Sequence, residues 1–325
     1  MGPQVSVVVP TYKRPHFLAQ ALASARQQSL SDIEILVCDN GADRETADVV
    51  RACGDQRIHY IPRPQNLGMQ RNVMLGFAQA HADIVMKLDD DDLLLPHTLE
   101  SLSAPFRKHP GLAMSFGDVR LIDAAGSEMS DETTALHRAS GRHTMSEGLI
   151  DHGTKSVVRG AVQLAGAALR ADVVDWAAVP DEVATSYDLH LTLSAVQDEC
   201  PIYYTGKTAI AYRIHGDSDT AQQLGRQARG ACHALGIALA SNRHADEQAI
   251  KDRLGQVSLH AGRAHIQSCE MQEGRQLLRR SMQVSPSIAA ASLYGLSFLP
   301  TGLVARLSSA RSNQNRRSTD RIPGR

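Results

Sequence analysis

Residues 83–96 read DIVMKLDDDDLLLP, and the fold of the whole chain turns on what this stretch is. A short apolar run, Ile84, Val85 and Met86 with Leu88, stops at four consecutive aspartates, Asp89 to Asp92. Leu93, Leu94 and Leu95 restore the apolar character, and Pro96, His97 and Thr98 open a predicted helix. Adjacent carboxylates repel one another, so a folded chain keeps such a run only in water or around a cation. Alone, the run reads as a solvated turn between strand and helix. At the carboxyl end of a buried strand it suits a hard divalent ion, Mg²⁺ or Mn²⁺, which commonly bridges a carboxylate to substrate phosphates.

Upstream, strands and helices alternate. Val5 to Val9 is a largely β-branched run ended by Pro10, the pattern of a strand buried on both faces. Thr11 to Arg14 form a loop, Pro15 suits a first helical turn, and Phe17, Leu18, Ala21, Leu22 and Ala25 recur at helical spacing. Ile33 to Val37 predicts a second strand, broken by the turn residues Asp39, Asn40 and Gly41. Thr46 to Cys53 predicts a short helix and Arg57 to Ile61 a third strand. A loop holding Asn66 and Gly68 leads into a helix through Met69, Val73, Leu75 and Phe77. Such alternation means an α/β fold with a mostly parallel sheet wrapped on both faces, and ligands bind outside the carboxyl ends of its strands. Three polar clusters, Thr11 to Arg14, Asp39 to Gly41 and Asp89 to Asp92, fall at strand ends, so the fold gathers them on one edge.

The 325 residues are 42% hydrophobic and 21% charged, an ordinary globular composition with room for one large domain and an appendage. A net charge of −1 and 4% aromatic residues argue against nucleic acid as a partner. Five cysteines, without a C-x-x-C pair, suit reduced thiols in a cytosol. The chain enters a strand almost at once, so no signal peptide is expected, and no apolar run reads as a membrane span.

The blocks VSVVVPTYKRP, EILVCDNG, NLGMQRN and KLDDDDLLLP together resemble the N-terminal half of the inverting family-two glycosyltransferases, over roughly residues 4–123 and in the family's order and spacing. The resemblance implies a GT-A (Rossmann-like) fold and a nucleoside-diphosphate sugar as donor. Pro10, Thr11 and Tyr12 then belong to the base slot, with the Tyr12 ring beside the base. Asp39 accepts hydrogen bonds from base or ribose, Asn40 and Gly41 shape that turn, and Asn66 and Gly68 are further nucleotide-sugar-binding candidates. Arg71 and Asn72 match the family's Arg-Asn pair, where a guanidinium and the helix amides can hold a phosphate; Arg14 is a further donor-site candidate. The aspartates match Asp-x-Asp-Asp: Asp89 toward ribose or metal-bound water, Asp90 at the variable position of the donor site, Asp91 as the direct ligand of Mn²⁺ or Mg²⁺, and Asp92 in support. Read from their residue types alone, these positions are turn residues, a surface tyrosine and surface charges.

The second half resembles the family more thinly. Residues 124–146 are polar and read as a loop that could close over donor and acceptor. The block Thr185 to Leu191 resembles the family's Glu-Asp-x-Asp-Leu-Trp-Leu, where an acid takes the acceptor's proton, yet Ser186 stands at the usual base position. Serine is no base unaided, so Asp188 is the candidate, with Asp181 and Glu182 in reserve and a plain helix-surface acid as the alternative. Tyr212 to Ser218 resembles the family's Tyr-Arg-x-His-x-x-Ser, which implies His215 near the metal or diphosphate; alone it reads as a hydrogen-bonded structural histidine.

From residue 221 the chain turns helical, and 259–286 resembles one tetratricopeptide-like hairpin, which cannot bury its own face and must pack on something. Residues 289–311 read as a packing helix that also allows peripheral membrane contact, and 311–325 as a disordered basic tail. The expected organisation is a catalytic domain at 1–220, its donor half at 1–123 and acceptor half at 124–220, and a helical extension at 221–310. The residue chemistry supplies a metal and diphosphate site, and the resemblance an inverting transfer from a UDP-sugar to a glycan or glycolipid acceptor in the cytoplasm. Two rival readings are a non-catalytic nucleotide-sugar-binding regulator, motivated by Ser186, and a nucleotidyltransferase, for which no glycine-rich phosphate loop follows the first strand.

Overall fold

A computed structural model describes residues 2–215 and 224–299 of the chain. The run Val5–Thr11 forms β1, buried at every position as a central strand must be. Pro15 then starts α1 (Pro15–Arg26). Next come β2 (Ile33–Asp39), α2 (Arg44–Cys53), β3 (Ile58–Pro62), α3 (Met69–Phe77) and β4 (Ile84–Lys87), so the predicted alternation holds through the aspartates. β5 (Leu93–Leu94), α4 (Thr98–Lys108), β6 (Met114–Ile122), α5 (Ser130–Ser140), β7 (Gly148–Ile150) and α6 (Thr154–Arg159) follow. β8 (Ala167–Arg170), α7 (Tyr187–Ala195) and β9 (Ile202–Arg213) complete the sheet-bearing part.

These strands build one nine-stranded sheet in the order β3-β2-β1-β4-β8-β6-β9-β5, with β7 also paired to β9. β1 to β4 run parallel, and β6 and β9 share their direction. The short strands β5, β7 and β8 oppose it. The register Thr11↔Asp39 and Val8↔Lys87 aligns the carboxyl ends of β1, β2 and β4. One face is covered by α1 and α4 through Leu18, Leu22, Leu99 and Leu102, the other by α3 and α7 through Phe77, Tyr187 and Leu191. Gly76 lets α3 lie directly on the sheet: a Cβ there would stand 2.6 Å from Val8 Cγ1 and 2.8 Å from Cys38 Sγ.

One expectation is corrected. Residues 124–146 are not a loop throughout, because α5 and a short turn of 3₁₀ helix, Arg142–Thr144, occupy much of the stretch. Few apolar side chains announce that helix. It is held by acids in its first turn, Asp131 and Glu132, by bases in its last, His137 and Arg138, and by polar ties to β6. The Leu121 amide donates to Thr133 Oγ1, and a His137 ring nitrogen lies 2.9 Å from the Val119 carbonyl.

Beyond β9 stand α8 (Leu224–Ser241), α9 (Glu247–Gln267), α10 (Met271–Val284) and α11 (Ile288–Leu296). Gly255 faces Ser285 and Gly274 faces Ile266, the pairing of an antiparallel hairpin made by α9 and α10. Cys232, Leu235 and Ala238 of α8 and Ile250 and Leu254 of α9 are buried in the same cluster as Val8, Phe77 and Tyr187. The extension therefore shares its core with the sheet. Leu235 and Leu254, 0% and 1% exposed, hold it there with about 1.5–3 kcal/mol each. Among the described residues no helix is long and apolar enough to cross a membrane. The tail at 311–325, the end of the 289–311 stretch, and 216–218 of the histidine block lie outside the described residues.

Candidate active site

The aligned carboxyl ends of β1 and β4 set the first contacts. Thr11 Oγ1, on the last residue of β1, donates a 2.7 Å hydrogen bond to Asp90 Oδ2. Arg14 Nη1 lies 3.4 Å from Asp90 and 3.0 Å from Asp91 Oδ2. From beyond the last strand of the sheet, His215 brings Nε2 to 2.9 Å from that same Asp91 oxygen, with Phe17 packed on its ring. Arg213 fixes the turn: its amide donates to Asp92 Oδ1 at 2.8 Å and its Nε to the Asp91 carbonyl at 2.7 Å. The structure thus joins Thr11, Arg14, Asp90, Asp91 and His215 into one contact network.

Crowding shapes the electrostatics of this turn. Burial, with Asp91 beside it, pushes the Asp90 carboxyl up to about 7, against the pull of Thr11 and Arg14. Burial and the neighbouring carboxylates likewise raise Asp89 and Asp92. Asp92 Oδ2 is buried with no hydrogen-bond partner among the described residues. A further positive charge would relieve all of these groups. Asp91 and His215 supply an oxygen and a nitrogen donor side by side, a set that fits a hard divalent ion completed by substrate phosphates and water.

The base-slot residues line the adjoining edge. Tyr12 is 41% exposed, with the Lys13 ammonium 5.3 Å from its ring centre. Asp39 is fully buried; one oxygen accepts from the Asp43 amide and the Tyr60 hydroxyl, both at 2.7 Å, and the other has no partner among the described residues. Asn66 Oδ1 accepts from Asn40 Nδ2 at 2.9 Å and from the Gly68 amide at 2.8 Å, which fixes the loop before α3. Pro10 is buried within β1. Arg71 is exposed on the first turn of α3. Asn72 is turned inward, 1% exposed, and its amide donates to the Cys38 carbonyl at 2.7 Å, so its side chain braces β2.

The base region assigns Ser186 a different task. Its hydroxyl donates to the Gln227 carbonyl of α8 at 2.8 Å and so ties the extension to the sheet-bearing part. Gly230 makes the approach possible, since a Cβ there would stand 2.3 Å from the Val183 carbonyl. Asp188, in the first turn of α7, has one of its oxygens 3.4 Å from Lys87 Nζ. Asp181 and Glu182 are exposed.

Lys87 is the residue that the sequence reading passed over. It is buried, and its Nζ lies 2.9 Å from Asp89 and 3.1 Å from the Tyr187 hydroxyl as well as beside Asp188. Burial alone would push this ammonium down, but Asp188 and Asp89 hold it well above the ordinary lysine range. It is the physical link between the aspartate turn and the base candidate. A lysine closing an apolar strand is the available signal, because a buried ammonium requires partners.

Residues 6–156 match the family model described as Glycosyl transferase family 2. This stretch is a family-two glycosyltransferase domain. Over 128 residues, 38% of this chain, it is 35% identical to the GalNAc(5)-diNAcBac-PP-undecaprenol beta-1,3-glucosyltransferase of Campylobacter jejuni, covering 40% of that protein. Over 228 residues, 69% of this chain, it is 24% identical to the hyaluronan synthase of Pasteurella multocida, covering 22% of that protein. The chain thus spans less than two thirds of the length of these curated relatives. Its fold is similar to that of S. aureus TarS 1–349 in complex with UDP-GlcNAc, with a TM-score of 0.65 and 14% identity over 87% of this chain and 82% of that one. It is also similar to the mannosyltransferase PcManGT from Pyrobaculum calidifontis in complex with GDP-Man and Mn2+, with a TM-score of 0.59 and 14% identity over 95% and 85% of the two chains. Within the family-two domain lie the aspartate turn and the base slot; His215, Asp188 and the Ser186 tie come from beyond residue 156.

Proposed function

We propose that this chain is a metal-dependent, inverting glycosyltransferase that moves a sugar from a UDP-sugar to an acceptor hydroxyl, in the synthesis of a cell-surface polysaccharide or glycolipid. One observation carries the reading: residues from both ends of the sheet-bearing part meet at Asp91, beside buried, mutually repelling carboxylates. TarS in complex with UDP-GlcNAc and PcManGT in complex with GDP-Man and Mn2+, both of similar fold, support a nucleotide-sugar donor. The Campylobacter relative, named for a PP-undecaprenol glycan, supports the glycolipid class of acceptor.

In this reading Tyr12 and Asp39 receive the base and ribose, and Arg71 and Arg14 face the diphosphate. A divalent cation held by Asp91 and His215 would offset the charge that builds on the leaving nucleoside diphosphate, a contribution of several kcal/mol. Asp188 takes the proton of the acceptor hydroxyl as it attacks the anomeric carbon in line with the departing group, so the configuration inverts. Lys87, 2.9 Å from Asp89 and 3.4 Å from Asp188, positions the base and links it to the aspartate turn. The catalytic unit is assigned to 1–220 and the extension to 221–310.

Purified chain incubated with single nucleotide-sugars, with Mn2+ or with chelator, tests the reading. Release of UDP that requires Mn2+ is the expected result. Release of pyrophosphate would reassign the site to nucleotidyl transfer, and tight binding without any release would leave a regulator instead of an enzyme.

A further inference from the structure

The geometry points to a second recognition site, a seat for a phosphoryl group carried by the acceptor, in the cleft between α7 and the helical extension. This rests on the reading of Asp188 as the base. The cleft has a volume of about 810 Å³ and is lined by Asp188 and Leu189 of α7, Gln227 and Arg229 of α8, and Arg253 and His260 of α9. That volume suits a sugar with a charged substituent. Residues 253, 257, 260, 261 and 264 recur at helical spacing, so a single face of α9 forms the wall. Ala231, Val257 and Ala261 give the cleft a small, apolar floor.

The charges in this cleft do not cancel. Its two acids already have partners: Asp188 lies 3.4 Å from Lys87, and Glu270 is hydrogen-bonded to His265. Arg253 is exposed and has no ion-pair partner among the described residues. Arg229, also exposed, has Glu273 as its one ion-pair partner among the described residues, at 3.7 Å. Two guanidinium forks opening on one cleft fit a doubly charged oxyanion, whereas a neutral sugar would need neither. Because Asp188 stands in the same wall, an acceptor anchored by its phosphoryl group on the arginines can present a hydroxyl to the base. The apolar floor adds room for the first carbons of a phosphate-linked chain.

Calorimetric titration of the full chain with decyl phosphate and with inorganic phosphate tests the assignment. Wild type is compared with an Arg229→Gln, Arg253→Gln double variant and with Asp91→Asn. Decyl phosphate affinity is expected to fall tenfold or more in the double variant, to survive Asp91→Asn, and to be unaffected by saturating UDP with Mn2+. Affinity for UDP with Mn2+ is expected to stay within twofold in the double variant. Equal binding of inorganic phosphate would assign the seat to a phosphorylated glycan, and binding of decyl phosphate alone to a lipid-linked one. Unchanged decyl phosphate affinity in the double variant, or displacement of the probe by UDP, would overturn the second site. Loss of UDP binding in wild type would instead count against the donor site, so the two failures are separable.

Discussion

Two edges of the same sheet bury carboxylates, and they treat them in opposite ways. At the amino edge Glu34 of β2 is 5% exposed; burial pushes its carboxyl up, yet the Ser6 hydroxyl and the amide and ring of His81 outweigh it and hold the group below the ordinary glutamate value. At the carboxyl edge Asp89, Asp90 and Asp92 are raised by burial and by one another, and Asp92 keeps one oxygen unpartnered among the described residues. The first arrangement is complete within the chain and serves stability. The second keeps raised carboxylates and an unpartnered oxygen even with Arg14 and Lys87 beside it, the mark of a candidate site more than of a core.

The largest break in this contrast is expected from Lys87→Met. Removing the ammonium between Asp89 and Asp188 strands two carboxylates, which should cost about 3–5 kcal/mol of stability by denaturant unfolding. A loss under 1 kcal/mol would mean the lysine links nothing. Next comes Asp91→Asn, which should lower Mn2+-dependent turnover about 10³-fold while leaving the fold intact, as several kcal/mol of charge stabilisation at about 1.4 kcal/mol per decade implies. Turnover within tenfold of wild type would remove Asp91 from the metal site.

A pH titration of metal-free protein sharpens the comparison further. Burial and Asp91 push the Asp90 carboxyl up to about 7 in the folded chain, above the ordinary aspartate value, so the folded state binds the extra proton. Its destabilisation is full above pH 7 and is relieved as pH falls toward 4, by up to about 1.4 kcal/mol per pH unit. Wild type should therefore gain stability between pH 8 and pH 5 relative to Asp90→Asn, and parallel curves would contradict the shift. Glu34→Gln should have the smallest effect, about 1–2 kcal/mol at neutral pH. With a lowered folded value, the Glu34 contribution is present above about 4.5 and fades as pH falls through it. Wild type and the glutamine variant should converge in acid and separate at pH 7.

The carboxyl edge was legible because its parts are local: β-branched runs ending in Pro10, in Asp39 and in the aspartates name their own strand ends, and parallel alternation puts them on one rim. Asp91 and His215 were placed together by family pattern, and here they touch. What was not legible depends on distant partners. Lys87 finds Asp188 across 101 positions, and Ser186 finds Gln227 across 41, which no periodicity records. The helix α5 escaped notice because charges at its ends and polar ties hold it in place of an apolar stripe. Short, opposed β8 enters between β4 and β6 through pairing, not pattern.

The measurement that bears most directly on the carboxyl edge is thermal unfolding of wild type and Asp91→Asn with UDP, with and without Mn2+. At a hundred times the dissociation constant a ligand adds about 2.7 kcal/mol. Stabilisation of wild type by UDP only when Mn2+ is present, and its loss in Asp91→Asn, is the expected result. Equal stabilisation without the metal, or in both proteins, would contradict a cation gripped by the aspartate turn and gripping the diphosphate in its turn.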